Sequence, residues 1–272
     1  MNLTNIGLWL ILIAMIALIP CGCIMTRPRA KQEDGPSTTA SIHPFTNGAQ
    51  TKEAEEPLQQ LHQFMGKLKL VWLPVGHPDN PFPYEVLDCR PVALSLLSAT
   101  SDRSVAATFA QLRFSDGREL RGQTPKGAIA APGEVRIEGR YTLDGPLFVA
   151  PEMEHKWDLF AYDRRLYARR SWGGELIHTA AITTLADQVV LDDIQTNQYQ
   201  YDVLDEIEFL MTWYVARKPF PFSVPNAFLE RKVSDASKDT AVIDDDMLIA
   251  LWGWTAHGRI AQFGRRMSGI KT

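Results

Sequence analysis

The sequence predicts an α+β fold: an antiparallel sheet or meander over about residues 86–194, then C-terminal helices, preceded by an N-terminal transmembrane helix. Three observations predict it. Residues 6–25 are uncharged and almost wholly apolar. Short segments within residues 86–194 alternate apolar and polar side chains, which is the period of a strand with one buried face. From residue 201 onwards, apolar residues recur at helical spacing.

The N-terminal segment is long enough to cross a bilayer and reads IGLWLILIAMIALIPCGCIM. About 20 residues, each rising about 1.5 Å, span a hydrocarbon core of about 30 Å. A cleaved secretory signal starts with basic residues and has a shorter apolar run, whereas residues 1–5 contain no Lys or Arg. We expect an uncleaved single-pass anchor. Cleavage, and a lipoprotein signal ending at Cys21 or Cys23, stay open as alternatives.

Flanking charge predicts the orientation of this anchor. Arg27, Arg29 and Lys31 follow it, and basic residues near a membrane helix favour the cytoplasmic side. We therefore expect the globular domain in the cytoplasm, whereas the lipoprotein alternative places it in the periplasm. Cys89 is the one cysteine beyond the anchor, so the domain has no disulfide framework, which suits a reducing compartment without excluding the periplasm.

The rest of the chain divides into a linker and a folded domain. Residues 27–57 are polar, small and interrupted by Pro and Gly, which predicts a flexible linker. Residues 58–272 are long enough to form a globular α+β domain. The net charge of −4, with both signs interspersed, argues against nucleic-acid binding.

The first elements of the domain follow from apolar spacing. Residues 58–68 have helical spacing, and the chain becomes extended at 69–72. Three prolines make residues 76–83 a loop. Residues 92–97 and 107–114 are then predicted as mainly β, and the tetrapeptide at 115–118 looks like a hairpin turn.

A meander and two helices complete the domain. Residues 135–141 alternate, and three further short strands are predicted at 157–162, 166–171 and 176–182. Their links are too short for crossovers, so these three strands form a meander. Helices are predicted at 201–215 and at about 245–263, the second preceded by acidic residues where an N-cap belongs.

Chemistry-bearing residues are densest at 152–175, around the predicted hairpin. One interpretation is an anion- or ring-binding patch, in which an arginine supplies a planar fork and tryptophans supply stacking surfaces. The predicted ligand-binding residues are Glu154, Lys156, Trp157, Arg170 and Trp172. The alternative is that the same side chains form cross-strand salt bridges and an aromatic core that set the register of the hairpin.

This segment resembles a bacterial family of uncharacterised proteins whose shared signature reads E-M-E-x-K-W, then a Tyr-containing strand, then R-S-W-T-G. The resemblance covers roughly residues 150–228 and includes a Pro-Phe-Pro loop at 219–225. Gly173 departs from the signature, where Thr is usual. The resemblance implies a grouping and no activity. The matching residues are Glu152, Met153, Glu154, Lys156, Trp157, Tyr167, Arg170, Ser171, Trp172 and Gly174.

The sequence favours a single-pass, membrane-tethered, non-enzymatic binding or accessory module. Its expected partners are the membrane and a protein or a small anionic or aromatic ligand. No catalytic residue, metal site or cofactor is predicted, because the chain lacks a glycine-rich phosphate loop, HExxH and GxSxG. Two alternatives stay open: an enzyme with a site around Glu154, Lys156 and Arg170, and a periplasmic lipoprotein with a structural role in the envelope.

Overall fold

The structure is a computed structural model that describes residues 70–98, 100, 102–197, 203–224 and 245–266. The predicted anchor, the linker and the helix at 58–68 lie outside these residues. Within the described ranges, no helix is long and apolar enough to cross a bilayer.

The described residues form a mixed α+β fold with antiparallel sheets and helices. In chain order, the strands are β1 (Trp72–Leu73), β2 (Val86–Asp88), β3 (Ile129–Ala131), β4 (Val135–Glu138), β5 (Gly145–Phe148), β6 (Trp157–Tyr162), β7 (Arg165–Arg170), β8 (Leu176–Thr184), β9 (Gln188–Thr196), β10 (Phe222–Val224) and β11 (Phe263–Arg266). The α-helices are α1 (Arg90–Ala93), α2 (Arg103–Leu112), α3 (Val203–Leu210) and α4 (Asp245–His257).

A seven-stranded antiparallel sheet contains the predicted meander. Its order is β3-β9-β8-β7-β6-β5, and β4 also pairs with β9. The link between β6 and β7 has two residues, Asp163 and Arg164, both in the left-handed region at φ 52° and 58°. Such a turn has the twist that a hairpin needs. The strands predicted at 135–141, 157–162, 166–171 and 176–182 are therefore confirmed, with small shifts at their ends.

A second sheet, which the sequence pattern did not predict, joins distant parts of the chain. Its order is β1-β2-β11-β10, with β10 and β11 parallel and the other pairs antiparallel. Phe263 pairs with Asp88, so the chain after α4 returns to the strand that precedes α1. The last predicted helix accordingly ends at His257 and not near residue 263.

The strand prediction at residues 107–114 is wrong, because these residues belong largely to α2. The Asp102 carboxylate accepts from the backbone amides of Ser104 and Val105, at 2.8 and 3.4 Å, and so satisfies the exposed first turn of a helix. The predicted hairpin turn at 115–118 is also wrong, because a helix and not a strand precedes it. Gly117, at φ 76°, instead begins the 3₁₀ turn Arg118–Leu120.

The prediction of β structure at residues 92–97 is also wrong at its start. Residues 90–93 form the short helix α1, with Pro in its first turn. Proline suits that position because the first helical amides have no intrahelical partner.

Both faces of the large sheet are covered. Helix α3 and the turn that follows it pack on one side, with Val203, Ile207 and Met211 against strand residues such as Leu166 and Leu191. A smaller cluster on residues from β6, β7 and β8 includes Phe160 and Tyr167 together with Leu120 of the 3₁₀ turn. Burial on both faces explains why every residue of β6 is buried.

Candidate functional site

The five residues assigned to a ligand from sequence lie on or beside the β6–β7 hairpin. Trp157 is opposite Arg170 in the antiparallel register. Trp157 is fully buried, Glu154 and Lys156 are 8% and 9% exposed, and Arg170 and Trp172 are half-buried. The hairpin brings these side chains together, and most of their polar atoms contact other parts of the protein.

Arg170 and Trp157 contact the last turn of α4. The Arg170 guanidinium lies 4.0 Å from the centroid of the Trp157 indole ring. Both side chains donate to the carbonyl oxygen of Ala256, Arg170 Nη1 at 2.5 Å and Trp157 Nε1 at 3.1 Å. Carbonyls in a last helical turn lack intrahelical partners, and a cation there is favourable to the helix dipole. These two residues therefore cap α4.

Residues 152–157, which we call the docking segment, hold the chain just beyond α4. Gly258 has φ 76°, and a Cβ built on it would overlap the carbonyl oxygen of Glu154. The same oxygen accepts from the Arg259 amide at 2.8 Å, and Arg259 Nη1 lies 2.5 Å from Glu152 Oε1. A glycine is needed here because only a residue without a side chain allows this close approach.

Lys156 is enclosed by aromatic rings and hydrogen-bond acceptors. Its Nζ lies 4.2 and 4.8 Å from the ring centroids of Trp172 and Trp254. The same nitrogen is 2.5 Å from Ser98 Oγ and 3.0 Å from the carbonyl oxygen of Met153. Burial lowers the pKa of Lys156 to about 7, against the opposing charge of Glu154, which favours the ammonium form.

Two more contacts fix the end of the hairpin on the docking segment. Trp172 Nε1 donates to the carbonyl oxygen of Met153 at 2.8 Å, and Ser171 Oγ donates to that of His155 at 2.8 Å. Glu154 Oε1 accepts from the backbone amide of Ser98 at 3.1 Å. The hairpin, the docking segment and the chain before α2 are thus joined by hydrogen bonds.

A buried charge cluster, which sequence reasoning missed, lies between β8, α3 and α4. His178 Nε2 is 3.0 Å from Glu206 Oε2, and His257 Nδ1 is 3.8 Å from Glu206 Oε1. All three side chains are at most 7% exposed. A signal for His178 existed, because strand alternation places it on the face of the apolar residues Ala180 and Ile182.

The charges in this cluster shift two pKa values. Burial raises the pKa of Glu206, but the hydrogen bond from His178 and the nearby charges of His178, His257 and Arg170 outweigh burial and lower it to about 2. Burial also lowers the pKa of His257 to about 4, against the attraction of Glu206. Glu206 is therefore ionised and His257 neutral at physiological pH.

A second buried pair secures the opposite side of the hairpin. Arg169, 1% exposed, donates through Nε to Asp158 Oδ2 at 2.9 Å and through Nη1 to Glu119 Oε1 at 2.6 Å. Its Nη2 donates to the carbonyl oxygen of Leu112, at 3.2 Å, in the last turn of α2. Adjacent arginines thus point to opposite faces and cap the ends of two different helices.

An open cleft of about 310 Å³ lies between the β4–β5 connection and the end of α3. Helix α3 continues there into the π-helical turn Met211–Val215, and Arg217 follows in the left-handed region at φ 56°. The predicted hairpin residues do not line this cleft. Its lining residues are Arg140, Tyr141, Thr142, Asp144, Pro146, Leu147, Tyr214, Val215 and Arg217.

Two further side chains with reactive or metal-ligating chemistry, Cys89 and His155, have little exposure. Cys89 is fully buried, and the His155 side chain lies at 3.8 Å from Glu152. Among the described residues, no group of His, Cys, Asp or Glu could hold a metal ion.

Comparison with known proteins adds no assignment. No protein-family model, curated protein or solved structure matches this chain.

Proposed function

We propose that the chain is a membrane-tethered binding module whose cleft takes a small anionic ligand. Residues 6–25 would anchor it, and the linker at 27–57 would connect the anchor to the domain. The observation that carries this proposal is the open cleft with Arg140 and Arg217 on its wall. Guanidinium groups match phosphate and carboxylate oxygens in charge and geometry.

The donors in the cleft are available for a ligand. Arg140 donates through Nε to the carbonyl oxygen of Ala186 at 2.6 Å. This hydrogen bond fixes the direction of the guanidinium group and leaves its two terminal nitrogens for a ligand. The Arg217 side chain is exposed, and among the described residues it has no side-chain hydrogen-bond or ion-pair partner. Tyr141 donates to the carbonyl oxygen of Glu138 at 2.7 Å, which holds its ring at the cleft wall. Asp144 is also in the lining, so the ligand would carry a hydroxyl or amino group beside its anionic group.

The hairpin residues are weaker candidates for binding a ligand, because their donors already contact other parts of the protein. Arg170 and Trp157 donate to Ala256, and Trp172 donates to Met153. A ligand at these side chains would have to replace contacts that hold α4. The interpretation of the hairpin as a scaffold is therefore favoured over a ligand site.

The proposal is tested by titrating the full chain in detergent with inorganic pyrophosphate. Arg217→Gly removes one guanidinium and relieves the left-handed backbone, so the fold should keep its stability. We expect the affinity for pyrophosphate to fall about tenfold, the loss of one charge-assisted contact. Arg118→Gln is the matched control, because Arg118 is 73% exposed and lies outside the cleft. Equal affinity in wild type and Arg217→Gly would exclude the cleft.

A further inference from the structure

Ser98 and Lys156 form a close pair that the cleft does not use. Ser98 Oγ and Lys156 Nζ are 2.5 Å apart, although the residues are 58 positions apart in the chain. A hydroxyl within hydrogen-bond reach of a side-chain base is the geometry of an activated nucleophile.

Burial favours the neutral form of Lys156, against the charge of Glu154 and the faces of two indole rings, which favour the ammonium form. The side chain is 9% exposed, and two indole rings lie within 5 Å of its nitrogen at 4.2 and 4.8 Å. Removal from water disfavours an ammonium group. With its pKa lowered to about 7 by burial, a large fraction of Lys156 is neutral at physiological pH. A neutral amine has the lone pair that accepts a hydroxyl proton.

Both members of the pair are held in place. The carbonyl oxygen of Met153 accepts from Lys156 Nζ at 3.0 Å, which orients the amine. Glu154 Oε1 accepts from the Ser98 backbone amide at 3.1 Å, which fixes the loop that carries the hydroxyl. Serine and lysine act in this combination, without a histidine, in one variant of the serine nucleophile.

Two exposed leucines precede the serine in the chain. Leu94 and Leu97 are 50% and 49% exposed, whereas Ser98 is 9% exposed. Apolar side chains next to a recessed hydroxyl favour a substrate with an apolar acyl group.

We propose that Ser98 is a nucleophile and Lys156 its general base, acting on an ester of an apolar acyl group. This activity goes beyond the proposed binding function, because neither residue lines the cleft. Ser98 Oγ attacks the carbonyl carbon as its proton moves to Lys156 Nζ. The bond to the leaving alcohol then breaks, and the alcohol takes that proton. Water, deprotonated by the same amine, hydrolyses the acyl-serine and restores both side chains.

The backbone amide of Ser98 bears on how fast this reaction would be. The Ser98 amide is engaged by Glu154, so it does not stabilise the developing oxyanion. We therefore expect slow turnover, and covalent labelling of the serine is the appropriate measurement.

The experiment treats the full chain in detergent with an alkyl fluorophosphonate and locates the adduct by mass spectrometry. We expect an adduct on Ser98 whose rate of formation rises with pH through about 7, following deprotonation of the base. Ser98→Ala should abolish the adduct, and Lys156→Arg should slow it about 100-fold or more, the contribution of a general base. Ser95→Ala, at an exposed serine of the same loop, should label as wild type does.

Three results would overturn the proposal: no adduct on the wild-type protein, an adduct on another residue, or undiminished labelling of Ser98→Ala. Should Lys156→Arg unfold, the pH dependence of wild-type labelling decides the role of the base, and a flat profile counts against it. Pyrophosphate binding is measured separately, so failure here is distinguishable from failure of the cleft.

Discussion

At the scale of single residues, the contacts of the docking segment and the hairpin show what their side chains do in the fold. Glu154 contributes its backbone oxygen to the chain after α4 and its carboxylate to the amide of Ser98. Trp157 and Arg170 contribute donors to one carbonyl, Ala256. Each residue thus has a structural contact that accounts for its type, independently of any ligand.

Gly258 gives the sharpest residue-scale prediction. Gly258→Ala adds a Cβ that overlaps a backbone oxygen, in addition to the strain of a left-handed alanine. Gly127→Ala is the matched control, because Gly127 also has a positive φ, 69°, but nothing lies within 4 Å of its Cβ position. The control should lose about 1–2 kcal/mol of unfolding free energy, and Gly258→Ala at least about 2 kcal/mol more. Urea unfolding measures both, and equal losses would contradict the described docking of α4.

The sequence could predict the neighbourhood of the hairpin residues but not their partners. Strand alternation and a two-residue turn bring Trp157 opposite Arg170. Their acceptor, Ala256, is 86 residues beyond Arg170, and no local pattern encodes so distant a contact. His178 and Glu206 were missed for a related reason: each lies in a correctly predicted element, but their pairing depends on how α3 packs on β8.

At the scale of elements, local signals decided which predictions succeeded. β6, β7 and β8 are joined by short turns, so their antiparallel pairing follows from the chain itself. Helix α2 was mistaken for a strand because its residues alternate, while its Asp102 cap lies outside the alternating stretch. The small sheet escaped prediction because its strands have two to four residues and pair across long separations.

The junction of β8, α3 and α4 predicts how stability depends on pH. Folding lowers the pKa of His257 from 6.5 to about 4, because burial disfavours its charged form. The unfolded chain therefore binds more protons between these values, so this contribution is complete above about pH 6.5 and is lost towards pH 4. The lowered pKa of Glu206, about 2 against 4.5, extends the loss of stability to lower pH. Arg170 faces the same cluster and contributes to both shifts.

His257→Gln tests this junction by urea unfolding over a pH series. The variant should lose a slope of up to about 1.4 kcal/mol per pH unit between pH 6.5 and 4, where only the unfolded His257 is protonated. The slope below pH 4, which Glu206 contributes, should persist. His77→Gln is the control, because that side chain is 39% exposed. An unchanged slope in His257→Gln would show that this histidine does not titrate on unfolding.

At the scale of the whole molecule, the proposal concerns a domain on a tether. The apolar segment at 6–25 and the basic residues after it predict an anchor with the domain on the cytoplasmic side. A lipoprotein attached through Cys21 or Cys23 would place the same domain on the opposite side. The side of the membrane on which the domain lies therefore distinguishes the single-pass anchor from the lipoprotein.

Cysteine labelling in intact cells distinguishes these topologies. With Cys21 and Cys23 changed to Ala, Asn2→Cys should react with a membrane-impermeant maleimide. Ser41→Cys, in the linker, should react only after the cells are permeabilised. Labelling of Ser41→Cys in intact cells would reverse the orientation. Incorporation of a radioactive fatty acid at Cys21 or Cys23 of the native sequence would support the lipoprotein.

The central claim is that the cleft binds the ligand while the hairpin holds the fold, and pyrophosphate titration of two variants tests it most directly. Arg170→Ala removes the donor to Ala256 and a cation beside Glu206, so it should lose about 2–4 kcal/mol of stability. At a temperature where it is folded, it should bind pyrophosphate as wild type does. Arg217→Gly should melt as wild type does and bind about tenfold more weakly. The reverse pattern, with binding lost in Arg170→Ala and kept in Arg217→Gly, would contradict the account.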